Sequence, residues 1–355
     1  MTPSTRRLAL PSVAVIVLLA LPVLLGFVGL DSWTFNFAFA VLYAIAIMGL
    51  NILTGYSGQI SLGHGAFLAL GAYTSAILQQ RYAIPYLLTI PAAGVLCGVL
   101  GFLFGFPALR LTSLYLALAT FALAVATPSV LKKFSGLTGG VKGIILDPVQ
   151  PPFGLSMTPE QWEYYLSLVI ALLLFLFAWN LLRGRTGRAF RALRDSELAA
   201  ASYGVDLRSY KTLAFGLSAG YAGVAGALFA IDTAFVSPDS FDFPLSLALL
   251  AGAVVGGLAL IDGAVWGALF VEFLPIVAQR GLEPVSKQIA NAAPAVTYGV
   301  LLILIMFLAR DGIAGAGRRG YISLRQMAGV GARARGPGAH SRDSRDSRED
   351  EEARG

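Results

Sequence analysis

Apolar runs of about 20 residues constrain this chain more than any other feature, because a helix needs that length to cross about 30 Å of hydrocarbon. Matching the template along the sequence gives ten candidate spans: 11–29, 35–54, 61–79, 86–106, 111–131, 162–182, 211–231, 244–260, 263–279 and 288–309. Lipid offers the backbone no hydrogen-bond partner, so only helices or closed barrels cross it, and unbroken runs this long exclude barrel strands. Composition points the same way. Of the 355 residues 56% are hydrophobic and 13% charged, against about 25% charged in a soluble domain. The expected fold class is an all-α polytopic integral membrane protein of about ten transmembrane helices, or eight with a re-entrant piece. The run after Arg6 and Arg7 is longer than the roughly 7–15 residues of a signal-peptide core and lacks a small-x-small cleavage site. It reads as a retained first span.

Basic residues orient the bundle, since cytoplasmic loops are enriched in Lys and Arg. With the N-terminus inside, inner segments hold fourteen: Arg6, Arg7, Arg110, six arginines from Arg183 to Arg208, Lys211, Arg310, Arg318, Arg319 and Arg325. Outer segments hold six: Arg81, Lys132, Lys133, Lys142, Arg280 and Lys287. Both termini are therefore expected in the cytoplasm, with an even number of spans. The expected organisation is a cytoplasmic N-terminus (1–10), a transmembrane domain (11–315) interrupted by a cytoplasmic segment (183–210), and a tail (316–355). Past Gly320 the chain mixes both charges without apolar periodicity, the pattern of a disordered cytoplasmic tail. His340 in that tail is alone and makes no metal site, and the single cysteine, Cys97, cannot form an intrachain disulfide.

Glycines four apart recur on the spans: Gly94/Gly98, Gly101/Gly105, Gly216/Gly220, Gly252/Gly256 and Gly263/Gly267. Such pairs let helices approach closely inside lipid, so packing is their expected role. Glu272 lies mid-span, where an unpaired charge costs roughly 2.5–3.5 kcal/mol or more, so it is expected to pair with another helix, with protonation or a pathway-lining role as the alternatives.

Two polar stretches break the apolar pattern. The first, "GYSGQISLGHGAF" (55–67), spends four glycines, two serines, a glutamine and one of the two histidines in thirteen positions. One reading is a helix opened on purpose, with Ser57, Gly58, Gln59, Ser61, Gly63, His64 and Phe67 facing a solute pathway. Irregular backbone at membrane depth is tolerated where it lines a cavity, and a helix start can meet a carboxylate. The other reading is a turn packed at the membrane surface. The second stretch, "RGRTGRAFRALRDSELAAASYGVDLRSY" (183–210), runs basic, then presents Asp195 and Glu197 at the start of a short helix that Gly204 ends. Topology and anionic lipid explain the charge. A small-residue helix set between spans also suits docking of a cytoplasmic partner.

Here a resemblance becomes specific. Glu197 followed by Ala199, Ala200 and Gly204 is similar to the Glu-Ala-Ala loop of ABC-importer permeases, with Leu198 intervening between the acid and the alanines. Together with "NILTGYSGQISLGHGAFLALGAYT", "PALRLTSLYLALAT", "SGLTGGVKGI", "VSPDSF" and "VVGGLALIDGAVWGALFVEFLP", in that order, residues 35 to 315 resemble permease subunits of branched-chain amino-acid importers, LivM type. The resemblance implies a permease subunit in the cell inner membrane, moving branched-chain or similar small amino acids inward by alternating access. It implies a second permease subunit (LivH type), two cytoplasmic ATPase subunits and an extracytoplasmic substrate-binding protein. ATP and Mg would sit on the ATPases, because this chain has no G-x-x-x-x-G-K-[ST] loop. No cofactor, metal or nucleic acid is expected on it, and it is not expected to be an enzyme. Asp195, Glu197, Ala199, Ala200 and Gly204 would couple to the ATPase. Phe235, Pro238 and Phe241, with Lys132 and Lys133, either receive the binding protein or serve ordinary loop chemistry. Alternatives are a same-family permease for urea or short amides, and an ion-coupled secondary transporter, which generally needs buried acids or ion-ligating helix breaks in related halves. An intramembrane enzyme would need a nucleophile–base or metal constellation, and none stands out.

Overall fold

A computed structural model describes residues 18–22, 24–26, 32–108, 113–152, 157–282, 299 and 312–315. Most of the expected span 11–29, nearly all of 288–309 and the whole tail 316–355 lie outside the described residues. What is described belongs to one compact unit, Met1–Gly315.

The long helices are α1 (Ser32–Leu50), α2 (His64–Tyr82), α3 (Tyr86–Ala108), α4 (Ser113–Lys133), α6 (Pro159–Arg183), α9 (Leu207–Thr233), α10 (Phe243–Gly256) and α11 (Ile261–Leu282). Shorter pieces join them: α5 (Ser135–Thr138), α7 (Arg185–Asp195), α8 (Glu197–Ser202), and strands β1 (Ile144–Ile145) and β2 (Phe235–Val236). These eight long helices correspond to eight of the ten expected spans. Among the described residues, seven helices are long and apolar enough to cross a membrane. The eighth, α2, is more polar because it carries His64, Gln79, Gln80 and Arg81.

Burial separates centre from periphery. In α9, 89% of the apolar stretch is buried inside the protein, and in α1 72%, against 22–28% for α3, α4, α6 and α11. The outer helices therefore carry exposed apolar residues such as Val95, Val99, Leu118, Val125, Leu173 and Leu176. The central helix can be enclosed because glycines bare its backbone where neighbouring helices cross it. A Cβ added at Gly226 would overlap the carbonyl of Leu68 on α2, and one at Gly71 would overlap the carbonyl of Gly223 on α9. The glycine pairs fall into two such seams. Gly94 and Gly98 of α3 lie against Gly220 and Val224 of α9, and Gly252 and Gly256 of α10 lie against Gly263 and Gly267 of α11. With lipid as apolar as any side chain, this close van der Waals contact is what holds the helices together. Glu272 of α11 finds its partner on α1, where Asn36 Nδ2 donates to Oε1 at 3.1 Å.

The connecting segments sort into two groups, one at each end of the bundle. At one end β1 pairs antiparallel with β2 (Ile144 opposite Val236), Lys132 Nζ meets Asp239 Oδ1 at 2.6 Å, and Arg81 donates to the carbonyl of Gly136. At the other end Arg194 and Lys211 are hydrogen-bonded to Gly55 and Gln59, and Ala259 and Leu260 are hydrogen-bonded to Asn51. The alternation of spans requires this grouping. Pro238 and Phe241, read as candidates to receive a binding protein, are instead buried; Phe241 stacks edge-on against Tyr73 and Phe229. Phe235 is exposed, and Lys132 is spent on Asp239.

Two outcomes follow. Gly226→Leu should destabilise the bundle by at least about 1–3 kcal/mol, the usual cost of overpacking, because the obstacle is backbone rather than a movable side chain. A lowered unfolding midpoint in detergent, compared with Val125→Leu on the lipid face, checks it. In a Cys97→Ser background, Val141→Cys and Arg188→Cys, both at exposed positions, should label from opposite sides of the membrane, Val141→Cys from outside.

Candidate functional site

The opened stretch begins inside a helix. After Leu50 the last turns of α1 widen into a π-helix, Asn51–Tyr56, a form that marks strained and often functional segments. Gly58, at φ +76°, takes the left-handed conformation that stops it. Gln59 N then bonds back to Leu53 O at 3.1 Å, and Ser57 Oγ donates to the same carbonyl at 2.8 Å. The chain runs irregularly to Gly63 and restarts as α2 at His64. The helix is therefore opened between residues 57 and 63.

Its polar groups are satisfied from within the protein. Leu62 N donates to Thr120 Oγ1 of α4 (2.9 Å) and Gly65 N to Ser246 Oγ of α10 (3.0 Å), so hydroxyls from two other helices occupy amides at the start of α2. Gly63 N reaches Ser61 Oγ at 3.4 Å, and His64 Nε2 bonds the carbonyl of Ala46 on α1 at 2.9 Å. Gln59 Nε2 donates to Ser57 Oγ and to Lys211 O. Ser57, Gln59, Ser61 and His64 are all buried; Gly58 is partly exposed, and Ile60 is exposed. Phe67, one turn into α2, lines a groove with Ala66, Leu70, Leu103, Phe104 and Leu131, where α2, α3 and α4 meet. The groove is almost wholly apolar. It suits a hydrocarbon side chain but cannot alone satisfy the charged ends of a zwitterion.

The second stretch folds as two helices rather than one. Alternation of Gly187, Ala189, Phe190 and Leu193 with arginines makes α7 amphipathic; its apolar face is buried, with Phe190 against Tyr210. Ser196 then turns extended, and its Oγ accepts from Ala199 N to cap α8. This corrects the expectation for Asp195. It ends α7 instead of opening the docking helix, because Ser196 takes the capping position. A carboxylate is disfavoured at a helix C-terminus, and Arg194 offsets it at 3.3 Å. Glu197 does sit in the first turn of α8, and it pairs with Lys211 at 2.6 Å. Gly204, at φ +77°, closes the segment, with Val205 N bonding Ala200 O. Asp206 caps α9, and hydrogen bonds from Ser209 and Arg208 hold its carboxyl below the usual range.

Ala200 is the buried foot of α8, while Ala199 faces outward. Leu198 is 84% exposed and Tyr203 89%. Both large apolar side chains stand far out of the bundle, Leu198 on α8 and Tyr203 at its C-terminal cap. The sequence reading missed Leu198 and Tyr203, and it missed Lys211 as the ion partner of Glu197. Leu198 was the visible departure from the Glu-Ala-Ala pattern, so its position carried the signal.

A family model described as branched-chain amino acid transport system / permease component matches residues 34–309. The high-affinity branched-chain amino acid transport system permease protein LivM of Escherichia coli K12 is 35% identical over 296 residues, covering 77% of this chain and 68% of that protein. LivM of Salmonella typhimurium LT2 is 34% identical with the same coverage. LivH of Escherichia coli K12 is 25% identical over 295 residues, 77% of this chain and 91% of that protein. No solved structure matches the chain significantly. That both LivM and LivH match indicates a permease pair in an ABC importer system. The match runs through the opened helix and the segment bearing α8, in a multi-pass integral inner-membrane protein, and the chain belongs to the branched-chain amino acid transport permease family.

Proposed function

We propose that this subunit translocates branched-chain amino acids toward the cytoplasm by alternating access, paired with a LivH-type permease and driven by two cytoplasmic ATPases. An extracytoplasmic binding protein delivers the solute. ATP and Mg belong to the ATPases, and this chain binds neither. The fourteen-to-six basic asymmetry supports placing residues 183–211 and both termini in the cytoplasm.

The observation that carries the reading is α8. It is a short helix, capped by Ser196, closed by Gly204 and braced by the Glu197–Lys211 ion pair, with Leu198 and Tyr203 projecting. Such a helix presents apolar anchors to a groove while its base moves with α7 and α9. In the same reading, the stretch from Ser57 through Gly58, Gln59, Ser61, Gly63 and His64 to Phe67 is the gate. Its hydrogen bonds reach α1, α4, α9 and α10, so it closes one conformation and exchanges those partners for water and solute in the other.

Glu197→Lys sets two ammonium groups together, and Leu198→Glu removes an anchor. Each should leave the protein in the membrane while abolishing ATP-driven leucine uptake and weakening retention of the ATPases. Full uptake by both variants overturns the docking role. A transporter that moves urea or acetamide but not leucine shifts the substrate within the family. Single cysteines replacing Ser57, Ser61 and His64 should resist aqueous thiol reagents in one nucleotide state and react in the other. Equal labelling in both states, with normal transport, reduces the stretch to a turn.

A further inference from the structure

The gate and the docking segment are not separate features. Arg194, near the end of α7, reaches in two directions. Its Nη1 donates to the carbonyl of Gly55 in the π-helix at 3.1 Å, while Nε and Nη2 hold Asp195 at 3.3 Å. Its stem lies against Gly58, where an added Cβ would come within 3.1–3.4 Å of Arg194 Cγ, Cα and Cβ. From the other side, Gln59 Nε2 donates to the carbonyl of Lys211, the residue whose Nζ pairs with Glu197. Residues 55–59 are thus held between the two ends of the segment that carries α8.

The same π-helix is tied to a third element. Asn51 spends its whole amide on the connection between α10 and α11: Nδ2 donates to Leu260 O at 2.7 Å, and Oδ1 accepts from Ala259 N at 2.8 Å. A π-helix differs from an α-helix by one residue of register, so a small push at its end has a discrete alternative arrangement to reach.

We infer that Arg194 is a positioning residue that transmits displacement of α8 to the π-helix Asn51–Tyr56, and through Asn51 to the α10–α11 connection. The inference rests on the docking role proposed for α8. A capping role alone, satisfying one orphan carbonyl of a helix end, would make Arg194 structural and nothing more.

The test uses the complete importer in proteoliposomes, with leucine as the probe and ATP hydrolysed per leucine transported as the readout. Arg194→Ala should keep the ATPases bound and hydrolysing, while that ratio rises roughly tenfold, the scale of one hydrogen bond to a charged group. Arg194→Lys, which keeps a charged donor, should recover part of the coupling. Spin labels at Ser202→Cys and Leu258→Cys, in a Cys97→Ser background, should change separation between nucleotide states, and Arg194→Ala should abolish the change. An unchanged ratio in Arg194→Ala overturns the inference, whether both rates are normal or both fall with the amount of folded protein. If Glu197→Lys and Leu198→Glu transport normally, the docking role itself fails, a result separable from any effect of Arg194.

Discussion

Close approach of backbone to backbone around α9 is the constraint on which the other features depend. Gly71, Gly223 and Gly226 let α2 and α9 meet with main-chain atoms nearly in contact, and Gly94 and Gly98 do the same for α3. Within lipid, no expulsion of water drives helices together, so the depth of contact determines whether they associate. Enclosing α9 in this way also fixes both its ends. One carries Lys211, which pairs with Glu197 of α8; the other leads directly into β2.

Against this rigid centre, the break after α1 stands out as the place where regular structure is given up. Opening a helix inside a protein leaves amides and carbonyls that must be satisfied, at several kcal/mol each if they are not. Thr120, Ser246 and Arg194 supply partners to this backbone from three elements, and the carbonyl of Ala46 on a fourth holds the His64 ring. A break satisfied by so many neighbours reports the position of all of them. That property suits a gate better than a simple turn, which needs only its own residues.

Much of this was legible in the sequence, for physical reasons that differ by feature. Span positions follow from a length requirement set by lipid, so eight expected helices appear near their expected places. Gly58 and Gly204 announced an opening and a helix end, because few other residues adopt a positive φ cheaply. What stayed hidden depends on distant partners. Thr120 lies 58 residues from Leu62, and Ser246 lies 181 from Gly65, so no local pattern indicated that their hydroxyls would occupy the start of α2. The amphipathic face of α7 was present in its spacing but masked by its arginines, which read first as a topology signal. Asp195 was misplaced because a single residue, Ser196, decides which helix an acid joins.

The pairing of β1 with β2 has a consequence for how the protein is made. Ile144 and Val236 are 92 residues apart, with α6, α7, α8 and α9 between them. At synthesis rates of about 5–20 residues per second, the first strand waits roughly 5–20 s for its partner to leave the ribosome. Throughout that interval the segment after α4 is outside the membrane without its ladder, and Lys132 lacks Asp239. The clasp can close only after α9 has been made, so the connections at this end of the bundle are completed late.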